Sequence, residues 1–130
     1  MTKKHVIVHL ASCCALCISF ILCRFVFYEL HHMRDWPYAL FVFCLIATTI
    51  SFFAKARLLG IAASASYPSG FVFAVIFQQD TAGPQPGETG NTLWIIWGLV
   101  VFGTVISCAL WEIISRRRIK SQVKHNIQIL

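Results

Sequence analysis

Charged side chains are scarce in this sequence. Asp, Glu, Lys and Arg make up only 12% of the 130 residues, whereas 58% are hydrophobic. An average soluble domain carries about 25% charged residues, and the mean hydropathy here is +0.72. This composition excludes an ordinary water-soluble globule and is typical of a chain whose solvent is lipid.

Four long apolar runs divide the chain. A helix needs about 20 largely apolar residues to cross the hydrocarbon core of a bilayer. Runs of that kind occupy residues 6–27, 36–53, 58–77 and 93–114. The strict alternation of a membrane β-barrel is missing, so these runs are predicted to be helices. Because the connections are too short for another domain, residues 1–130 are predicted to form one all-α, four-helix polytopic transmembrane bundle.

Lys and Arg are nearly missing from one side of this predicted bundle. Cytoplasmic flanks carry the excess of both residue types, and placing the N-terminus inside puts nine of the eleven there, leaving Arg24 and Arg34 outside. The outer side also takes four of the five carboxylates: Glu29, Asp35, Asp80 and Glu88. The sequence therefore predicts an N-in/C-in, multi-pass protein of the cell membrane, and its compact hairpins are typical of a bacterial cytoplasmic membrane.

Acidic residues are missing from the middle of all four runs, where proton- or cation-coupled transporters usually hold one. In size and number of spans the chain is similar to the small multidrug transporters, but those rely on a glutamate in the middle of the first helix, and residues 6–27 contain none. No enzyme or cofactor motif is present, so no catalytic residue or cofactor is assigned. The basic residues are split among three membrane flanks, which argues against a nucleic-acid partner.

Small residues are concentrated in the third run. Ala62, Ser66 and Gly70 recur at every fourth position, and Gly60 precedes them. Small side chains at that spacing let helix backbones approach closely in lipid. We therefore expect this helix at the centre of the bundle. The favoured function is an accessory or structural subunit that packs on a larger membrane complex, or on a second copy, through this face.

A second interpretation is a small oligomeric transporter or channel for an anion or a polar solute. Pro68 removes one backbone hydrogen bond and frees the Ser64 carbonyl, which neighbouring serine hydroxyls are expected to satisfy. Arg24 lies about one turn inside the outer boundary, where it is either a snorkelling anchor or a site for an anion or lipid headgroup. The predicted path is lined by Arg24, Ser64, Ser66 and the Pro68 break.

Histidine and cysteine give a third interpretation, a membrane metal-binding or thiol-redox protein. His5, His9, Cys13 and Cys17 follow one another at every fourth position of the first run, and Cys14 forms a C-x-x-C pair with Cys17. These are ligand types that soft metals prefer. Successive residues climb about 6 Å along a helix, so the four need further ligands from another helix. The alternative is a packing face with interfacial histidines.

The outer loop and three tryptophans are further features of the sequence. The outer loop at 78–92 contains three Gly and two Pro and no Lys or Arg, which predicts an irregular, mobile segment. Trp94 and Trp97 are expected at the outer membrane interface, with Trp111 near the inner one.

The tail at 115–130 is predicted to be a basic amphipathic helix. Ile119, Val123, Ile127 and Leu130 recur at helical spacing. The basic residues of the tail are Arg116, Arg117, Arg118, Lys120 and Lys124. Such a helix is expected to bind the anionic lipids of the inner leaflet or a membrane-protein partner.

Overall fold

Four long helices dominate the structure. The computed structural model describes residues 3–31, 34–82 and 89–130. In this part of the chain the elements are α1 (Lys3–Ile21), a π-helical turn (Leu22–Val26), α2 (Tyr28–His31), α3 (Trp36–Phe53), α4 (Arg57–Phe77), β1 (Asp80–Ala82), β2 (Thr89–Asn91) and α5 (Leu93–Ile129). Helix α1 with its π turn, α3, α4 and α5 are each long and apolar enough to span a membrane. The predicted all-α transmembrane bundle is confirmed, and the N-in/C-in orientation stays a prediction.

Helix α4 is the centre of the bundle, as its small residues predict. It contacts α1, α3 and α5. Half of its most apolar stretch is buried inside the protein, against 22 to 33% for the other three spans. A Cβ atom at Gly70 would lie 3.0 Å from the Trp97 ring. Because lipid supplies no hydrophobic force between helices, such close backbone approach is what holds the bundle together.

Tyr67 and Trp97 join three helices in the core, and both side chains are fully buried. The Tyr67 hydroxyl donates to the Pro37 carbonyl of α3 at 3.0 Å, and Trp97 Nε1 of α5 donates to the Tyr67 carbonyl of α4, also at 3.0 Å. The Trp97 ring therefore faces the bundle core and not lipid, and its depth in the membrane stays a prediction. A buried indole needs a partner for its N–H, and the Tyr67 carbonyl supplies one. Trp94 stays at the surface, 46% exposed.

The connection between α3 and α4 is a tight capped turn. Lys55 has a positive φ of 55°. Its amide donates to the Phe52 carbonyl at 3.2 Å, and the Ala56 amide donates to the Ser51 carbonyl at 2.9 Å. These two bonds form a Schellman motif, in which the left-handed position is usually glycine. Here Lys55 occupies it, and the turn fixes how α3 and α4 lie against each other.

The loop at 78–92 is less irregular than the sequence predicts. β1 pairs with β2 in antiparallel register, Asp80 opposite Asn91. Polar side chains close the base of this hairpin, since the Gln79 amide donates to Thr92 Oγ1 at 2.9 Å and Asn91 Nδ2 donates to Gln78 Oε1 at 3.0 Å. Composition alone does not reveal such pairings. Residues 83–88, with the predicted outer carboxylate of Glu88, lie outside the described residues.

Helix α5 is much longer than a membrane span. Its 37 residues extend about 56 Å at 1.5 Å per residue, against a hydrocarbon core of about 30 Å. Its buried residues all precede Cys108, and every residue after Ser115 is exposed. The expected span at 93–114 and the expected tail at 115–130 are thus one continuous helix. We call residues 116–129 the α5 extension.

The contacts between elements define the two ends of the bundle. His5 lies against Phe52, and Arg116 donates to the Ala54 carbonyl. The start of α1, the α3–α4 turn and the beginning of the α5 extension therefore share one end, which we call the basic end. The opposite end carries α2 and the β-hairpin, and we call it the loop end.

Candidate functional sites

A histidine cluster lies inside the basic end. His5 and His9 of α1 are each 4% exposed and meet edge to face, with ring centroids 4.5 Å apart. Both rings pack against Phe52 of α3, His5 in a stacked geometry and His9 edge to face. His5 Nε2 lies 3.3 Å from the Phe52 carbonyl. The cluster therefore fixes the start of α1 to the end of α3.

Ser51 connects His9 to the backbone of α3. Its hydroxyl donates to the Thr48 carbonyl at 2.8 Å, and its oxygen lies 3.4 Å from His9 Nδ1. His9 Nε2 is buried with no hydrogen-bond partner among the described residues. Gly60 makes the arrangement possible, because a Cβ there would lie 2.7 Å from Ser51 Oγ and 2.9 Å from His9 Cε1.

The predicted metal ligands only partly come together. His5 and His9 touch, and His9 and Cys13 line a cavity of about 370 Å³ between α1 and α3. Cys14 and Cys17 are exposed on the outside of the bundle, and all six cysteines are free thiols. Within residues 3–31, 34–82 and 89–130, no three His, Cys, Asp or Glu side chains are grouped so as to hold a metal ion. The stripe thus begins as a packed pair of histidines, continues with the half-buried Cys13 and ends at the exposed Cys17.

Arg24 lies in the π-helical turn that ends the first span, at the loop end. The Phe27 amide donates to the Leu22 carbonyl at 3.0 Å, a π-type bond that closes this turn. The Arg24 guanidinium lies 5.7 Å from the Phe25 ring centroid and 5.6 Å from that of Tyr28. Arg24, Phe25, Tyr28 and Arg34 line a cavity of about 360 Å³. Arg34 is ten positions away in sequence, and its place beside Arg24 gives no signal in the sequence.

The serines of the predicted transport path lie elsewhere. Ser64 and Ser66 are buried in the bundle, and their hydroxyls donate to the Ile61 and Ala63 carbonyls of their own helix. Ser69 likewise donates to the Ala65 carbonyl. Each hydroxyl proton is therefore used, and none of the three satisfies the Ser64 carbonyl that Pro68 frees, contrary to expectation. Arg24 shares its cavity with Arg34 and aromatic rings, not with these serines.

The small-residue face of α4 is occupied within the chain. Gly60 faces His9 and Ser51, and Gly70 faces Trp97. Ser66 is 2% exposed and lies against the Cys44 thiol of α3, whereas Ala62 is half-buried. The predicted helix packing therefore occurs between helices of one chain, and this face is not free for a partner.

Arg116 holds the beginning of the α5 extension. Its guanidinium donates to Glu112 Oε1 at 3.1 Å, four positions earlier on the same helix. Nη2 also donates to the Ala54 carbonyl at 2.6 Å. That carbonyl lies at the C-terminal end of α3, where backbone acceptors lack intrahelical partners and cations are favoured. The contact ties α5 to the α3–α4 turn.

Comparison with protein-family models, with curated proteins and with solved structures found no match to this chain. Its class therefore rests on its own fold. The four apolar helices and their internal packing define a small multi-pass integral membrane protein built as a four-helix bundle.

Proposed function

We propose that this chain is a non-catalytic accessory protein of the membrane, which presents the α5 extension to an acidic protein partner on the cytoplasmic side. One observation carries the proposal: the last 15 residues of the chain are all exposed although they continue a packed helix. Ile119, Val123 and Ile127 form an apolar stripe along one face and are 52 to 66% exposed. A helix that is apolar on one face normally buries that face against another element.

Charge selects the kind of partner. The extension carries five Lys and Arg, and no acidic residue follows Glu112. Lys120 and Lys124 flank the apolar stripe on one side of the helix. A second copy of this chain would bring two such helices together with like charges facing, which is unfavourable. An acidic groove or helix complements both the stripe and its basic flank.

Geometry favours a soluble protein over the bilayer surface. Helix α5 contains no Pro, and no Gly after Gly103, so it lacks the residues at which helices usually kink sharply. Arg116 binds the α3–α4 turn and fixes where the extension leaves the bundle. The extension therefore continues the line of its span for about 20 Å at 1.5 Å per residue. We propose that its stripe stands clear of the membrane.

The proposed interface of this accessory subunit lies on the α5 extension and not on the small-residue face of α4. The small face of α4 contacts other helices of the same chain, whereas every residue of the extension is exposed. An accessory role then depends on residues 116–130 and not on Gly60 to Gly70.

Site-specific photocrosslinking in native membranes tests this role. A benzophenone amino acid at Ile119, Val123 or Ile127 is expected to give the same protein adduct at all three positions. Ser121 and His125, on the opposite face of the helix, serve as matched controls and should give none. The adduct should disappear in the Lys120→Glu/Lys124→Glu variant. Adducts to lipid only, to a second copy, or equally from both faces would contradict the proposal.

A further inference from the structure

Two arginine side chains line one cavity at the loop end. Arg24 and Arg34 both line the space of about 360 Å³ beside Phe25 and Tyr28. Arg24 is half-buried and Arg34 is exposed. In the part of the chain that the structure describes, the ion pair recorded is Arg116 with Glu112, so neither of these two arginines is paired with a described carboxylate. Two cations therefore face a shared space that holds no described anionic side chain.

The two arginine side chains carry like charges. Like charges beside a low-dielectric membrane repel more strongly than in water. The Phe25 and Tyr28 rings offset part of the cost for Arg24, because aromatic faces attract cations. They do nothing comparable for Arg34. An anion between the two guanidiniums would convert the repulsion into two attractions.

The chemistry of the side chains points to phosphate. Guanidinium groups bind the oxygens of phosphate with paired, parallel hydrogen bonds. Arg24 lies in the last turn of the first span, close to its end at Val26. Phe25 and Val26 beside it are 69% and 61% exposed toward the surroundings. The π turn that orients Arg24 is a feature found frequently at functional sites.

We infer that Arg24 and Arg34 form a binding site for a phosphate group. A phospholipid headgroup and a free phosphate share this chemistry. The site lies at the opposite end of the bundle from the α5 extension and does not depend on the docking role proposed for that extension.

Native mass spectrometry of the full chain in dodecyl maltoside tests this site. Dioleoylphosphatidylglycerol, dioleoylglycerol without phosphate, and inorganic phosphate are added in separate titrations. The phosphatidylglycerol is expected to bind and the dioleoylglycerol is not. Arg24→Gln and Arg34→Gln should each raise the Kd at least about tenfold, as expected for loss of a charged hydrogen-bond donor. Arg117→Gln, which removes the same charge at the basic end, should leave the Kd unchanged.

The outcomes separate the two sources of phosphate. Binding of phosphatidylglycerol that depends on both arginines and is not displaced by inorganic phosphate assigns a lipid headgroup. Binding of inorganic phosphate with the same dependence assigns a soluble anion. Because Arg34 is exposed, Arg34→Gln should fold even if Arg24→Gln does not. Equal binding by wild type and Arg34→Gln, or no binding of either phosphate probe, would overturn the inference.

Discussion

The two halves of α5 differ in burial although they form one helix. Before Cys108, four of its buried residues recur at every fourth position: Leu93, Trp97, Val101 and Val105. After Ser115 no residue is buried, and charge takes the place of packing. The first half is fixed by contacts within the chain. The second half continues the same helix with every residue exposed, and Arg116 joins its beginning to the Ala54 carbonyl. A partner outside the chain is our proposal for this half.

The largest loss of stability is expected in the packed half of α5, at Trp97. Trp97→Ala removes a fully buried ring and the hydrogen bond to the Tyr67 carbonyl, which should lower the free energy of unfolding by about 3–5 kcal/mol. SDS titration in dodecyl maltoside micelles, followed by circular dichroism, measures it. Trp111→Ala is the matched control, since Trp111 is 64% exposed. If both variants lose the same free energy of unfolding, Trp97 does not stabilise the bundle more than the exposed Trp111 does, which contradicts the comparison.

A smaller effect is expected at Gly60, where α4 touches the histidine cluster. Gly60→Ala places a Cβ within 3 Å of Ser51 and His9, and such overpacking should cost about 1–3 kcal/mol. Gly103→Ala is the control, because a Cβ there meets nothing within 4 Å. The same SDS titration compares the two. A stable Gly60→Ala variant would mean that His9 and Ser51 do not hold the positions described.

A stabilising change is expected at the α3–α4 turn. Lys55 has a left-handed backbone at φ 55°, which costs a non-glycine residue roughly 1–2 kcal/mol. Lys55→Gly should therefore raise the free energy of unfolding, by about 1 kcal/mol after the greater freedom of the unfolded glycine is counted. Ala54→Gly, at φ −76°, should instead lower it. A loss of stability in both variants would argue against the Schellman turn.

The smallest effect is expected at Arg116, the link between the two halves of α5. Arg116→Gln removes the pair with Glu112 and the bond to the Ala54 carbonyl. The side chain is 46% exposed, so solvent screens the pair and the loss should be about 0.5–1 kcal/mol. Arg117→Gln should have no measurable effect on the same titration. An equal effect of both variants would show that the Ala54 contact does not stabilise the bundle.

The sequence predicts the parts of this architecture that depend on composition and period. Four apolar runs give four spans, and the small residues of α4 give its central position. It does not predict contacts that depend on how helices are rotated against each other. The burial of Trp97 is visible only once Tyr67 is placed beside it. Ser51 becomes the partner of His9 only once α1 lies against α3 at the right height.

The candidate sites, too, are predicted from the sequence only in part. Arg24 is recognisable in sequence because a cation inside a span is unusual. Arg34 is not, since its approach to Arg24 depends on the π turn and on α2 between them. The tail at 115–130 is recognisable as basic and amphipathic, yet only the structure joins it to α5 without a break. The sequence leaves two partners open for the tail, the inner-leaflet surface or a protein, and this continuity is the reason that we propose a protein.

Photocrosslinking in lipid nanodiscs tests the central claim most directly, that the α5 extension stands clear of the bilayer. The purified chain is placed in nanodiscs rich in phosphatidylglycerol, with a benzophenone amino acid at Val123 or, as the lipid-facing reference, at Ile106, which is 54% exposed within its span. We predict abundant lipid adducts from position 106 and few or none from position 123. Lipid adducts from position 123 as frequent as those from position 106 would contradict the account and place the extension on the membrane surface.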